Sequence, residues 1–240
     1  MIVDSSALPE QVTRDVISSA FQSAGQRCSA LRVLFVQEDV ADGMIKMIAG
    51  AMEALNVGDP RELSTDVGPV IDKAAKKVLD EHLDWLDKNA KKICRLEPPK
   101  EATNGCFVAP ALYEIQSLSE LDRENFGAIL HVIRFAADEL DKVVEAINTT
   151  GYGLTLGLQS RIDTVRDYVE EHARVGNFYV NRNQIGAVVE SQPFGGEGLS
   201  GTGPKAGGPH YVARFAIERV TCIDTTAAGG NASLMASIDG

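Results

Sequence analysis

The sequence predicts an α/β sandwich around a largely parallel sheet. Segments with a helical apolar period alternate with short apolar runs along most of the 240 residues. Helix-length segments rather than tight turns separate the runs, as parallel crossovers require. Hydrophobic residues make up 44% and charged residues 24%, the mixture of a globular chain with a sizeable core.

Each element has its own warrant. Ile2-Val3 reads as the end of a strand. A helix is predicted over 9–24: Val12, Val16, Ala20 and Phe21 share a face, and Pro9 suits a first helical turn. The apolar run 31–36 is a buried strand. A second helix spans 40–55 and ends before Gly58-Asp59-Pro60. A third spans 74–89, with Val78, Leu79, His82, Leu83 and Leu86 on one stripe. Strands at 92–96 and 107–115 flank a polar loop with Pro98-Pro99 and Asn104-Gly105. Strand 129–135, helix 138–147, strand 154–158, helix 163–172 and strand 177–181 follow. A glycine-rich stretch runs from Gly195 to Gly208, and a last strand is predicted at Val220–Ile223. Residues 225–240 are small and polar and read as a tail or linker.

Charge and composition exclude several classes. A formal net charge of −11 argues against nucleic acid, which asks for a basic footprint. No apolar run approaches the roughly 20 residues that span a bilayer. Cys28, Cys94, Cys106 and Cys222 show neither metal-ligand nor disulfide spacing, which points to a reducing cytoplasm. A literal Gly-x-Gly-x-x-Gly occurs at Gly196, Gly198 and Gly201. Thr202-Gly203-Pro204 follows it and cannot open the helix that a dinucleotide fingerprint needs, so the stretch reads as an irregular loop.

The chemistry points to Cys28. A helix runs into the string Gln22-Ser-Ala-Gly-Gln-Arg-Cys-Ser-Ala30 and a strand runs out of it. The thiol therefore stands on a turn between two rigid elements, with Arg27 as its neighbouring cation. Taken alone, Cys28 reads as an inert buried thiol, Glu124 as a solvated carboxylate and Phe194 as core packing.

Together, three ordered motifs resemble the catalytic domain of the aldehyde dehydrogenase superfamily. Phe21, Gly25, Gln26 and Cys28 match its Phe-x-x-x-Gly-Gln-x-Cys nucleophile motif. Glu124-Asn125-Phe126-Gly127 resembles Glu-x-Phe-Gly-Pro, with Ala128 in place of the proline. Pro193-Phe194-Gly195-Gly196 and Ser200-Gly201 resemble the Pro-Phe-Gly-Gly motif and its continuation, and Asn181 falls at the Val-Asn strand end. The strings 24–32, 177–183 and 193–209 are similar to the L-glutamate γ-semialdehyde (1-pyrroline-5-carboxylate) dehydrogenase branch, especially to the bacterial bifunctional PutA family, and the 225–231 tail fits that branch.

The resemblance implies a three-layer sandwich over residues 1–224, with helices on both faces of the sheet. It implies that Cys28 attacks an aldehyde, with its own backbone N–H as one oxyanion donor. Glu124 would bind the nicotinamide-side ribose of NAD and Phe126 would pack near the nicotinamide. Ser29 and the N–H groups of Gly186 and Ala187 would hold the substrate's α-carboxylate, and Phe194 would wall the aldehyde pocket. No metal is implied. Glu190 stands in the presumed substrate loop where a small residue is expected.

The resemblance also implies partners: an upstream dinucleotide-binding domain, a deacylating Glu in a Glu-x-Gly-Gly string, an oxyanion-hole Asn and, in the bifunctional proteins, a flavin-dependent proline dehydrogenase domain. The chain then reads as a catalytic half with little turnover alone, forming a homo-oligomer through Val220–Ile223. Two other classes stay open at this point: a non-catalytic relic serving assembly, and a cofactor-free thiol hydrolase. For the latter, none of His82, His131, His172 or His210 lies in a partner motif.

Overall fold

The computed structural model describes residues 1–98, 105–186, 188, 190–224, 233 and 236–237. Its elements in order are β1 (Ile2–Val3), α1 (Pro9–Phe21), β2 (Val33–Gln37), α2 (Glu38–Glu53), α3 (Lys73–Asn89), β3 (Lys91–Arg95), β4 (Ala111–Glu114), β5 (Ile129–Phe135), α4 (Leu140–Thr149), β6 (Tyr152–Gly153), β7 (Thr155–Gln159), α5 (Asp163–His172), β8 (Asn177–Val180) and β9 (Glu197–Gly198). Seven strands form one sheet in the order β3-β4-β5-β2-β1-β7-β8, and β6 pairs with β9 apart from it. Only the edge pair β3–β4 is antiparallel within the large sheet.

The strand order explains the layers. The crossovers β1-α1-β2 and β2-α2-α3-β4 step one way along the sheet, whereas β5-α4-β7 and β7-α5-β8 step the other way. Right-handed crossovers therefore put α1, α2 and α3 on one face and α4 and α5 on the opposite face. The connection from β4 to β5 steps with the second group, and its end at Gly127 packs against Leu79 of α3.

Burial follows the predicted faces. Val12, Val16, Ala20 and Phe21 of α1 are buried, as are Leu79, Leu83 and Leu86 of α3. Asp72 caps α3 by accepting from the Ala75 N–H at 2.7 Å. In β5 every residue but Arg134 is buried, the signature of a strand covered on both faces.

Three predictions need correction. Helix α1 stops at Phe21 rather than at 24, because Ser23 (φ 54°), Ala24 (φ 53°) and Gly25 (φ 66°) turn left-handed. The strand expected at 107–115 is confined to Ala111–Glu114. Residues 220–223 form no strand: Val220 is 85% and Ile223 79% exposed, and every described residue from 209 to 224 is exposed. They pair with no strand among the described residues, and their apolar side chains stay exposed. The 225–240 tail lies almost wholly outside the described residues, as does most of the polar loop after Pro98.

Candidate active site

Cys28 stands on a tight turn, closed by the Ala30 N–H donating to the Arg27 carbonyl at 3.1 Å, five residues before β2 begins at Val33. Its side chain is exposed. Glu124–Gly127 immediately precede β5. Strands β2 and β5 are parallel neighbours, so both loops emerge at the same, amino-terminal edge of the sheet. Ligands of open parallel sheets commonly gather at the carboxyl ends. Here those ends hold a polar network instead: Asp4 accepts from Ser6 and Ser160, and the Asn181 side chain brackets the Ser160 peptide at 3.0 and 2.8 Å.

The left-handed run before Cys28 brings the two loops together. A Cβ on Gly25 would collide with the Gly127 carbonyl, so the two motif glycines pack backbone to backbone. Arg32 then ties the loops. Its Nη1 donates to the carbonyls of Gly25 (2.5 Å) and Gly127 (3.4 Å), its Nη2 to Arg27 (3.1 Å) and its Nε to Glu124 Oε1 (3.2 Å). Its guanidinium lies 4.8 Å from the Phe126 ring centroid. Burial pushes this guanidinium below its usual value, while the Glu124 carboxylate and the Cys28 thiol group oppose that shift. Arg32 is thus the cation beside Cys28. Arg27, its sequence neighbour, turns back to Ser23 Oγ at 3.0 Å. The available signal was a lone arginine between Leu31 and Val33, inside an otherwise apolar run.

A second unforeseen group supports Arg32. The Arg32 carbonyl accepts from both the N–H (3.0 Å) and the ring Nδ1 (2.9 Å) of buried His131. A carbonyl only accepts, so Nδ1 carries the proton and Nε2 is bare. Nε2 lies 2.9 Å from His82 Nε2, which must donate. Burial pushes His131 down to about 4. Both its nitrogens are engaged, so it offers Cys28 no general base.

Cys28, Arg32, Glu124, Asn125 and His131 line one cavity of about 950 Å³. Within it, Glu124 Oε2 has no hydrogen-bond partner among the described residues, and Asn125 Oδ1 is buried without a partner. Phe126 is half-exposed. Ser29 is buried, and its Oγ accepts from the Gly186 N–H at 3.0 Å, so these two predicted residues meet. Ala187 lies outside the described residues. Glu190 is exposed at φ 71°. Ala128 is fully buried, and its carbonyl accepts from the Ala111 N–H at 2.9 Å, which joins this loop to β4 without the proline. Phe194 is half-buried and pairs with Ala206 through two backbone hydrogen bonds of 3.0 and 2.9 Å. Gly196–Gly201 opens no helix; its residues Glu197–Gly198 form β9. Among the described residues no cluster of metal ligands and no helix long and apolar enough to cross a membrane occurs.

Comparison with known proteins agrees with this geometry. The chain is 54% identical over 224 residues to the bifunctional protein PutA of Klebsiella aerogenes, covering 91% of this chain and 17% of that protein. It matches a crystal structure of Bradyrhizobium japonicum proline utilization A with a TM-score of 0.88 and 55% identity, over 95% of this chain and 23% of that one. It matches a 1-pyrroline-5-carboxylate dehydrogenase from Thermus with bound NAD at a TM-score of 0.80 and 32% identity, over 89% of this chain and 41% of that one. The chain therefore spans about a fifth of the length of its PutA relatives. The sequence profile of the aldehyde dehydrogenase family matches residues 1–220, and the chain belongs to that family.

Proposed function

We propose that this chain is the thiol-bearing half of an NAD-dependent dehydrogenase that oxidises L-glutamate γ-semialdehyde to L-glutamate in a bacterial cytoplasm. The observation that carries the reading is that Cys28 and Glu124 line one cavity from two separate motif loops, which one largely buried arginine ties together. Similarity to proteins named PutA and 1-pyrroline-5-carboxylate dehydrogenase supports the substrate.

The residues fit the cofactor. Two Glu124 oxygens can accept from vicinal ribose hydroxyls, Phe126 offers an accessible ring, and the orphaned Asn125 Oδ1 is a further buried acceptor in the same wall. NAD, when bound, supplies the hydride acceptor. The Cys28 sulfur adds to the aldehyde carbon, a C–S bond forms, and the carbonyl pair moves onto oxygen. The Cys28 N–H has no acceptor among the described residues and is free to meet that oxyanion. Hydride loss from the same carbon leaves a thioester on Cys28. Water then cleaves the C–S bond, releasing carboxylate and thiol.

In this reading Ser29 Oγ and the N–H groups of Gly186 and Ala187 would hold the α-carboxylate, and the contact of Ser29 Oγ with the Gly186 N–H at 3.0 Å supports the first two. Glu190 is exposed, and in this reading Phe194 would wall the aldehyde pocket. Partners in the reading are the dinucleotide-binding domain upstream, a proline dehydrogenase domain, and a second copy pairing through 220–223. The test is NADH formation from L-glutamate γ-semialdehyde and NAD, by this chain and by a version extended upstream through the dinucleotide-binding domain. Cys28-dependent activity in the extended form alone supports the reading. Activity in neither would favour a non-catalytic assembly role, and brisk turnover by the 240 residues alone would refute the half-enzyme reading.

A further inference from the structure

We propose that Arg32 is a positioning residue for the oxyanion step: by holding the Arg27 carbonyl it aims the Cys28 N–H at the oxygen that becomes negative. The inference rests on the reading of Cys28 as the nucleophile and of its N–H as an oxyanion donor. Arg27 and Cys28 share one peptide group, and the described chain has no cis peptide bond. In a planar trans peptide the C=O and N–H point in opposite directions, so fixing one fixes the other. Arg32 Nη2 reaches that carbonyl at 3.1 Å. A charged donor on the carbonyl also polarises the peptide, which makes its N–H a stronger donor.

Arg32 is itself held on every side. Glu124 takes its Nε, Gly25 and Gly127 take Nη1, Phe126 covers its face, and His131 grips its backbone carbonyl through two N–H groups. Four of its five N–H donors thus have acceptors, and the side chain is only 15% exposed. A rigid fork of this kind can span a carboxylate and three carbonyls at once; a lysine ammonium cannot. Glu124 balances the charge, so the cation is kept beside the turn without an unpaired buried charge.

Two reactions of Cys28 separate this role from its rivals. Acylation by p-nitrophenyl acetate forms a C–S bond, places negative charge on the carbonyl oxygen and expels p-nitrophenolate, so it uses the oxyanion donor. Alkylation by iodoacetamide displaces iodide at a saturated carbon and forms no oxyanion. Both rates are read on the purified 240-residue chain, with Cys28→Ser as background. In Arg32→Met, acylation is expected to fall about 10-fold or more beyond any change in alkylation, short of the roughly 100–1000-fold that losing an oxyanion donor costs. Arg32→Lys is expected to lie between, with alkylation near the parent rate. Should Arg32→Met lose its far-UV circular dichroism, the same ratio in Arg32→Lys decides. Acylation unchanged relative to alkylation would overturn the proposal. So would an equal fall of both rates, which would make Arg32 a counter-ion of the thiolate. A parent chain that acylates no faster than Cys28→Ser would overturn the nucleophile reading and this inference with it.

Discussion

The Cys28 and Glu124 loops and the glycine-rich stretch 193–208 both carry family motifs, yet they are held in different ways. The first pair is locked by one buried side chain that crosses 95 positions of sequence, with Gly25 pressed on Gly127 and His131 behind. The glycine-rich stretch is held mostly by backbone ladders: Phe194 with Ala206, and Glu197–Gly198 with Tyr152–Gly153. Side-chain anchors add to these: Asn177 at the start of β8 reaches Pro193 and Gly195 at 3.0 and 3.1 Å, Ser200 Oγ accepts from the Gly153 N–H at 3.1 Å, and Lys205 Nζ donates to the Gly176 carbonyl. Chemistry that needs a fixed thiol and carboxylate is placed where a charged fork sets the geometry. Shape that needs only close backbone approach is placed where glycine allows it.

The largest expected effect separates these regions by a methyl group. Gly25→Ala adds a left-handed penalty and a backbone collision, together about 3–5 kcal/mol. Gly207→Ala, at φ 73° with open space around it, is expected to cost about 1–2 kcal/mol. Urea midpoints of the two variants read the difference; equal shifts would remove the contrast.

Acid probes the lock itself. His131 titrates near 4 in the folded chain and near 6.5 when unfolded. Below about pH 6.5 the unfolded chain binds a proton that the folded chain refuses. Stability from this residue is therefore fully present above 6.5 and falls, by on the order of 3 kcal/mol, as pH drops toward 4. His82 shifts in the same direction through burial. A His131→Phe chain should show a flatter urea midpoint between pH 6.5 and 4, and an unchanged slope would contradict this account.

A smaller effect probes the contact that joins Cys28's neighbour Ser29 to Gly186. Ser29→Ala leaves the buried side of the Gly186 N–H without its acceptor, at about 1–3 kcal/mol. In an active extended protein it should raise KM for L-glutamate γ-semialdehyde more than KM for propanal, which has no α-carboxylate; equal changes would argue for a packing role only. The smallest effect belongs to the exposed strap. Ile217→Thr, at 93% exposure, should change the monomer's urea midpoint by no more than about 0.5 kcal/mol. A larger loss that grows with protein concentration would place a second copy on this segment.

Much of the fold was legible because periodicity reports burial directly. Residues 129–135 and 163–172 fall where the apolar runs and faces put them, and the α1 face of Val12, Val16 and Ala20 is the buried one. Val220–Ile223 shows the limit: alternation and apolar content describe a strand's readiness to pair, and pairing needs an edge. The α1 end shows another. Ser23 and Ala24 have no local reason to turn left-handed, and they do so where Gly25 packs against a backbone a hundred residues away.

The sequence by itself determined the alternating elements, the buried faces and the order of the three motifs that carry Cys28, Glu124 and Phe194, because these depend on residue type and spacing along the chain. Only the tertiary structure decided that two of those loops share the amino-terminal edge of the sheet, that Arg32 rather than Arg27 is the cation beside Cys28, and that His131 is spent on holding it. Those outcomes depend on which parallel strands lie side by side, and a guanidinium finds its acceptors only after the sheet has brought residues 25, 27, 124 and 127 within reach.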